Sequence, residues 1–396
     1  MVKIKKPYPS KLDWYSEPNL GSYFDHREIN AVMKCLKNSN KWHQGFNPYP
    51  VEIYKFEKEF EKKFDVRNAI SVCNNGLGFD LLLSIINIKP GDEIITPALN
   101  FKAWQMSIIK RNIKTKFCDV ELETLNLCKE DLLKKINNKT KVICPVYLGG
   151  HSCDCDEIQE IANYYSKKYK KKIFVIYDAA RGLGIKYKNK HIASLGDFVV
   201  FSFNGAKILT TMGEGGIIST NNDKYASLIR SATTYGGEES WGLNYRISRV
   251  QAAFGLEQLK SKFYNLQKLR YKIGVKRNKF FSKFNLIQCP IIRDYSNHNF
   301  YLYNLILKPP FNKILRDRLI KIILKKYKIN LSYPKNITER WKILKKKYGV
   351  QNLKNTNMVT SNSINLMLHP MITSKQEKFL LDIFVHEYKQ IINNCL

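Results

Sequence analysis

From residue 50 to about residue 220 the chain alternates short apolar runs with longer segments in which apolar residues recur every three or four positions. "AISVC", "DEIITPAL", "KTKFCDV", "KVICPVYL", "KIFVIYDAA", "DFVVFSF" and "GEGGIIST" have the length and the β-branched and aromatic content of strands. "GFDLLLSIINI", "AWQMSIIKRN", "KEDLLKKI" and "DEIQEIANYYSKKY" read as helices among them. Apolar strands separated by amphipathic helices predict an α/β fold with a mainly parallel sheet and helices on both faces. After about residue 275 the pattern changes. "NFYLYNLIL" and "INLSYP" are strand-like, the basic "ILRDRLIKIILKKY" is a helix between them, and "KQEKFLLDIFVHEYKQII" is a closing helix. The expected division is a large domain over 1–275, N-terminal segment included, and a small α+β domain over 276–396.

Composition narrows the class. A chain of 396 residues that is 44% hydrophobic and 12% aromatic holds a sizeable core. It has no run of eighteen or more apolar residues, so no membrane insertion is expected. The N-terminal "MVKIKKPYPSKLDW" has no apolar run behind its basic residues and predicts no secretory signal. Nine scattered cysteines fit reduced thiols and a cytoplasmic location. His151, Cys153 and Cys155 in "HSCDCDEI" could begin a metal set, but no second Cys/His cluster completes it, and no metal is expected.

The charge is strongly basic, with 66 Lys and Arg against 34 Asp and Glu, a net +32. The lysines are spread along the chain among Asn and Ile, densest in "YSKKYKKKIF" and "WKILKKKYG", with no nucleic-acid-binding motif. No specific nucleic-acid partner is expected, and an anionic small-molecule ligand accounts for part of the excess.

In a mainly parallel sheet, ligands gather at the carboxyl ends of the strands. Four such ends carry unusual residues. "AISVC" is followed by Asn74-Asn75-Gly76-Leu77-Gly78, a glycine-rich helix start of the kind that holds phosphate. "DEIITPAL" leads to Asn100-Phe101, where Phe101 either packs in the core or covers a flat ligand. "KIFVIY" ends at Asp178-Ala179-Ala180-Arg181, where a buried carboxylate makes a structural contact or faces a cationic ring nitrogen. "DFVVFSF" leads to Lys207, ahead of Gly213, Gly215 and Gly216; it is a surface lysine on a hairpin or an amine placed for chemistry. Phosphate cradle, ring cover, acid and amine match the four groups of pyridoxal 5′-phosphate in number and type.

Taken together, these pieces resemble the fold-type I, pyridoxal-phosphate-dependent nucleotide-sugar aminotransferases of the DegT/StrS family. The resemblance runs in order through "WHQGF" at Gln44, "FEKEFEKKFDVRNAISVCNNGL", "PGDEIITPALNFKA", "VICPVYLGGHSCDCDEI", "IYDAARGLG", "GDFVVFSFNGAKILTTMGEGG" and "GLNYRISRVQAAFGLEQL". It covers roughly residues 20 to 275, and the C-terminal third matches only through "LMLHPMIT". It implies transfer of an amine from L-glutamate to a nucleotide-linked keto-sugar, at C4 of a 6-deoxy hexose or else at C3, in amino-sugar and surface-polysaccharide biosynthesis.

By the same resemblance, Lys207 would hold the cofactor covalently and later shuttle a proton. Asp178 would pair with the ring nitrogen, Phe101 would stack on the ring, and Gly76, Leu77 and Ser202 would hold the phosphate. Asn244 would reach the phosphate from a neighbouring subunit, which implies a homodimer with shared sites. Arg181 stands where relatives carry Gln or His to bond the cofactor's phenolic oxygen, and Leu77 stands where many carry Thr. A sugar dehydratase of the same fold is the nearest rival, but it would carry histidine in place of Lys207. A non-catalytic binding or regulatory protein would need none of the set. The C-terminal domain and the loops near His43 and Trp241 are expected to select the substrate.

Overall fold

The computed structural model describes residues 23–40, 45, 47, 49–238 and 240–393, so His43 and Gln44 lie outside the described residues. The chain lays down β1 (Asn68–Val72), β2 (Glu93–Pro97), β3 (Lys114–Cys118), β4 (Thr140–Ile143) and β5 (Phe174–Ala179). A small hairpin follows, β6 (Lys186–Tyr187) with β7 (Lys190–His191), and then β8 (Phe198–Ser202) and β9 (Gly216–Thr220). Without the hairpin these make a seven-stranded sheet in the order β1-β9-β8-β5-β4-β2-β3. Only β9 runs against its neighbours β1 and β8; the remaining pairings are parallel.

The sheet is buried on both faces, and side-chain alternation assigns each residue to one of them. Val175, Tyr177, Ala179, Val199 and Phe201 pack with Phe56, Phe60 and Ile158 from helices on one face. Phe174, Ile176, Phe198 and Val200 pack with Phe79, Leu82 and Trp104 on the other. Burial of each such large side chain is worth roughly 1.5–3 kcal/mol. The second series continues, two residues on, to Asp178 in β5 and Ser202 in β8. Both polar groups therefore emerge on one face, at the carboxyl ends of adjacent parallel strands.

The helix Phe263–Phe281 crosses residue 275. Phe263 belongs to the core of the large sheet, and Phe281 to a separate C-terminal core. That second core lies among three antiparallel strands, β10 (Ile287–Gln288), β11 (Asn304–Leu307) and β12 (Ser363–Asn365), and the helices Lys313–Tyr327 and Ser374–Asn393.

Two strand expectations change here. "NFYLYNLIL" becomes a strand only from Asn304, because Phe300 takes φ 49° and breaks the extended run. "INLSYP" is an irregular segment touching Asn365 through a single bridge at Ser332. Just after it, the backbone bonds to the large domain: Ile337 N–H donates to Ala98 O at 2.9 Å, and Asn336 bridges Leu99. Among the described residues, no helix is long and apolar enough to cross a membrane.

Candidate active site

Lys207 lies in the connection between β8 and β9. Phe203 N–H donates to Gly215 O and Gly205 N–H to Gly213 O, both at 2.8 Å. The connection is thus a tight hairpin excursion. Within it Asn204 Nδ2 donates to Glu214 Oε1 at 2.8 Å and Gln251 Nε2 to Glu214 O at 2.9 Å, which fixes the turn. Gly216, the first residue of β9, allows close approach: a Cβ there would lie 2.8 Å from Phe201 O and 3.0 Å from the Asn75 nitrogen. The glycine lets β9 pass against the start of the helix Asn75–Ile85. The excursion carries Lys207 to the cavity that Asp178 lines, so a place on the hairpin is compatible with a place at that cavity.

That cavity has a volume of about 410 Å³. Gly76, Phe101, Asp178, Arg181, Ser202 and Lys207 all line it. Leu77 and Asn244 do not. The Leu77 side chain is exposed, and its N–H donates to Asn74 Oδ1 at 2.9 Å, capping the helix. Asn244 sits on an exposed turn bridged to Thr234, where its Oδ1 accepts from Arg246 Nε at 3.1 Å.

Asp178 is 4% exposed. Its Oδ1 accepts from Ala180 N–H at 3.0 Å and from Asn75 Nδ2 at 3.4 Å. Burial pushes its carboxyl up from the ordinary value, against the Ala180 N–H and the charges of Lys207 and Arg181, which favour the anion. Among the described residues it has no ion pair. A buried carboxylate at a cavity wall with no ion pair fits a cationic ring nitrogen.

The cavity wall also holds two helix starts, Asn75–Ile85 and Ala103–Lys110, the second without a side-chain cap. They approach so closely that a Cβ on Gly76 would meet Ala103 Cβ at 3.1 Å. Their N-terminal N–H groups and the Ser202 hydroxyl suit a phosphate. Phe101, 48% exposed, meets Trp341 edge-on at 5.4 Å and keeps a face free for a flat ring. The residues present fit pyridoxal 5′-phosphate.

Sequence reasoning left some of this site without roles. Asn75 ties Asp178 to β8, since its Nδ2 also donates to Val200 O at 3.0 Å; its place beside the helix cap was the available signal. Tyr301 comes from the C-terminal part. Its hydroxyl donates to Ala206 O at 2.6 Å. Lys207 Nζ and the Arg181 guanidinium carbon each lie 5.4 Å from the centre of its ring. Nothing in "NFYLYNLIL" distinguishes Tyr301 from the core aromatics around it.

Comparison with known proteins agrees with this geometry. GDP-perosamine synthase of Caulobacter vibrioides is 34% identical, over 75% of this chain and 78% of its own. UDP-4-amino-4,6-dideoxy-N-acetyl-beta-L-altrosamine transaminase of Campylobacter jejuni is 28% identical, over 93% of this chain and 95% of its own. The sugar aminotransferase CalS13 from Micromonospora echinospora superposes with a TM-score of 0.82 at 18% identity, over 92% of this chain and 98% of that one, so the fold is shared. The model of the DegT/DnrJ/EryC1/StrS aminotransferase family matches residues 23–383, and the chain belongs to that family.

Proposed function

We propose that this enzyme moves an amino group from L-glutamate to a nucleotide-linked keto-sugar, at C4 of a 6-deoxy hexose or else at C3. The observation that carries the reading is Lys207 and Asp178, which has no ion pair, lining one cavity together with two helix starts. Bound pyridoxal phosphate supplies an electron sink and a temporary amine carrier. Lys207 provides the amine that holds it and moves a proton at the substrate carbon. Asp178 keeps the ring nitrogen charged, Ser202 and the helix starts hold the phosphate, and Phe101 covers the ring. The names of the two relatives, a GDP-sugar and a UDP-sugar enzyme, support a nucleotide-linked substrate and leave the nucleotide open. Lysine at 207 favours amination over the dehydratase alternative.

The active form in this reading is a cytoplasmic homodimer. Ile29, Met33 and Leu36 make an exposed apolar stripe on the helix His26–Ser39, and Tyr235, Trp241 and Leu243 are exposed beside Asn244. Such surface favours a partner subunit, and Asn244 then serves the partner's phosphate site. The eight described cysteines are free, which suits a reducing compartment. The test is a panel of nucleotide-linked keto-sugars with glutamate, scored by 2-oxoglutarate release. Release with simple 2-oxo acids but with no member of the panel would overturn the sugar reading. Mixed Asn244→Ala and Lys207→Ala subunits should regain activity after exchange, and no recovery after proven exchange would overturn the shared site.

A further inference from the structure

A second cavity, of about 570 Å³, adjoins the first. Asn100, Leu148, Arg181 and Ala206 line both. Most of its remaining wall comes from the C-terminal segment 330–340, irregular as far as Asn336 and then the short helix Ile337–Arg340. That segment is pinned at two points. Asn365 N–H donates to Ser332 O at 2.7 Å, which ties one end to β12. The fully buried Asn336 bridges Leu99 at the end of β2, and its side chain accepts from Thr338 N–H and donates to Gln351 O, both at 3.0 Å. Between the pins, Tyr333, Pro334 and Lys335 form a short arch, which the fixed φ of proline stiffens. The Tyr333 ring rests on the buried Arg316 guanidinium, 3.6 Å from its carbon, and Lys335 Nζ lies 4.9 Å from the same ring. Arg340 closes the far side, 4.6 Å from the Trp341 ring.

The charge of this wall is one-sided. Arg181, Lys335 and Arg340 line it, and no aspartate or glutamate does. Among the described residues none of the three has an ion-pair partner. Desolvation in the cleft and the charge of Arg181 both push Arg340 down from its ordinary value, so the two guanidinium groups sense each other with no acid between them. Elsewhere, partly exposed arginines find carboxylates: Arg249 pairs with Glu52 and Arg293 with Glu123, both at 2.9 Å. Three convergent cations without a counter-acid, in a cavity one wall away from Lys207, fit an anion of more than one charge joined to the reacting group.

We propose that Arg181, Lys335 and Arg340 receive the diphosphate of the substrate, with its sugar lying toward Lys207. The proposal rests on the nucleotide-sugar reading given above. The probes are UDP and GDP, with uridine and guanosine as phosphate-free counterparts, titrated calorimetrically into the holoenzyme and into Lys335→Gln, Arg340→Gln and the double variant. At least one diphosphate should bind the unaltered enzyme. Each substitution should weaken it by about tenfold, the scale of one charge-assisted hydrogen bond, while the nucleosides keep their affinity. Arg340→Lys should recover part of the loss, which a merely structural defect would not allow.

Equal diphosphate affinity in the double variant and the unaltered enzyme would overturn the proposal and leave the aminotransferase reading standing. If neither diphosphate binds the unaltered enzyme while glutamate still changes the cofactor's absorbance, the nucleotide-linked substrate falls together with the proposal. A parallel tenfold loss in that glutamate-driven change would assign the cations to the donor's carboxylates and overturn it as well.

Discussion

Lys207 and Arg340 stand at adjoining cavities, but the chain brings them there by different routes. The first cavity is built largely by the ends of regular elements. Asp178 and Ser202 are the last polar residues of an alternating series in two neighbouring parallel strands, and the phosphate wall is the start of two helices. The second cavity is closed by an irregular segment that takes its shape from long-range bonds to Ala98, Leu99 and Asn365. In the proposed reading, Asp178 and Ser202 meet the cofactor from the ends of sheet strands, and the cations that meet the substrate sit on a segment whose sequence can change without disturbing the sheet. The expected consequence is a division of labour, in which changes in the first cavity act on rate and changes in the second on substrate affinity.

The sharpest way to break that division is Lys207→Ala. It removes both the amine that holds the cofactor and the group that moves the proton, and the rate should fall by at least ~10⁴-fold, the upper range for a positioned acid–base group. Borohydride reduction and peptide mapping of the unaltered protein should place the pyridoxyl group on the peptide containing Lys207. Labelling of another lysine, or full turnover of the variant, would relocate the chemistry.

Asp178→Asn comes next. The isosteric amide retains the hydrogen-bonding shape but cannot supply the charge that favours a protonated ring nitrogen, so the rate should fall by ~10²-fold or more. Cofactor affinity should change less, because the phosphate wall is untouched. A near-normal kcat would mean that another acid serves the ring.

The strand-end logic explains how much of the site was legible. A strand buried on both faces reads as an apolar run, so a polar residue at or just past its end stands out; Asp178 and Lys207 are singled out this way, and both line the first cavity. The parallel sheet was visible for the same reason. The C-terminal part offered weaker signals. "INLSYP" carries a strand's composition, yet it meets β12 through the bridge at Ser332 rather than along a full ladder. The true third strand, Ser363–Asn365, has three residues and follows directly on a helix, too short for alternation to show. Tyr301 and Arg340 gain their meaning from tertiary contacts alone.

Acid stability probes the C-terminal side of the comparison. His298 is fully enclosed, accepts Phe300 N–H on Nδ1 at 2.9 Å, and lies with its ring 4.2 Å from that of Phe300. Burial lowers its pKa from 6.5 to about 3, with the charge of His151 acting in the same direction. The sign follows from which state binds the proton. Below pH 6.5 the unfolded chain protonates this histidine and the folded one does not, so its contribution to stability is full above that pH and is lost as pH falls toward 3. Between pH 6.5 and 5 the loss should be about 2 kcal/mol. His298→Asn keeps an acceptor for Phe300 N–H and removes the titration. Its denaturant midpoint should be lower at pH 7 but should fall less steeply with acid. An unchanged slope would place the titration elsewhere, with His191, lowered to about 4 by burial, as the next group to replace.

The smallest effect tests the seam between the two cavities. Tyr301, from the C-terminal part, lies close to both Lys207 and Arg181 and is expected to act as a positioning residue. Tyr301→Phe keeps the ring beside the two cations and loses only the 2.6 Å hydrogen bond to Ala206 O, the carbonyl just before Lys207. A hydrogen bond of this kind is worth about 1 kcal/mol net, so kcat should fall about fivefold. KM for glutamate should hold, because the change acts on the placement of the lysine rather than on a binding group. Tyr301→Ala removes the ring as well, and with it the π surface that both positive groups approach, so its loss should exceed that of the phenylalanine variant and should extend to cofactor retention. Steady-state kinetics and the visible spectrum of each variant check both statements. Tyr301 lines the first cavity, so if Tyr301→Ala costs as much as Asp178→Asn, the rate does not rest on the strand ends alone. The C-terminal segment would then belong to the chemistry as fully as the strand ends do.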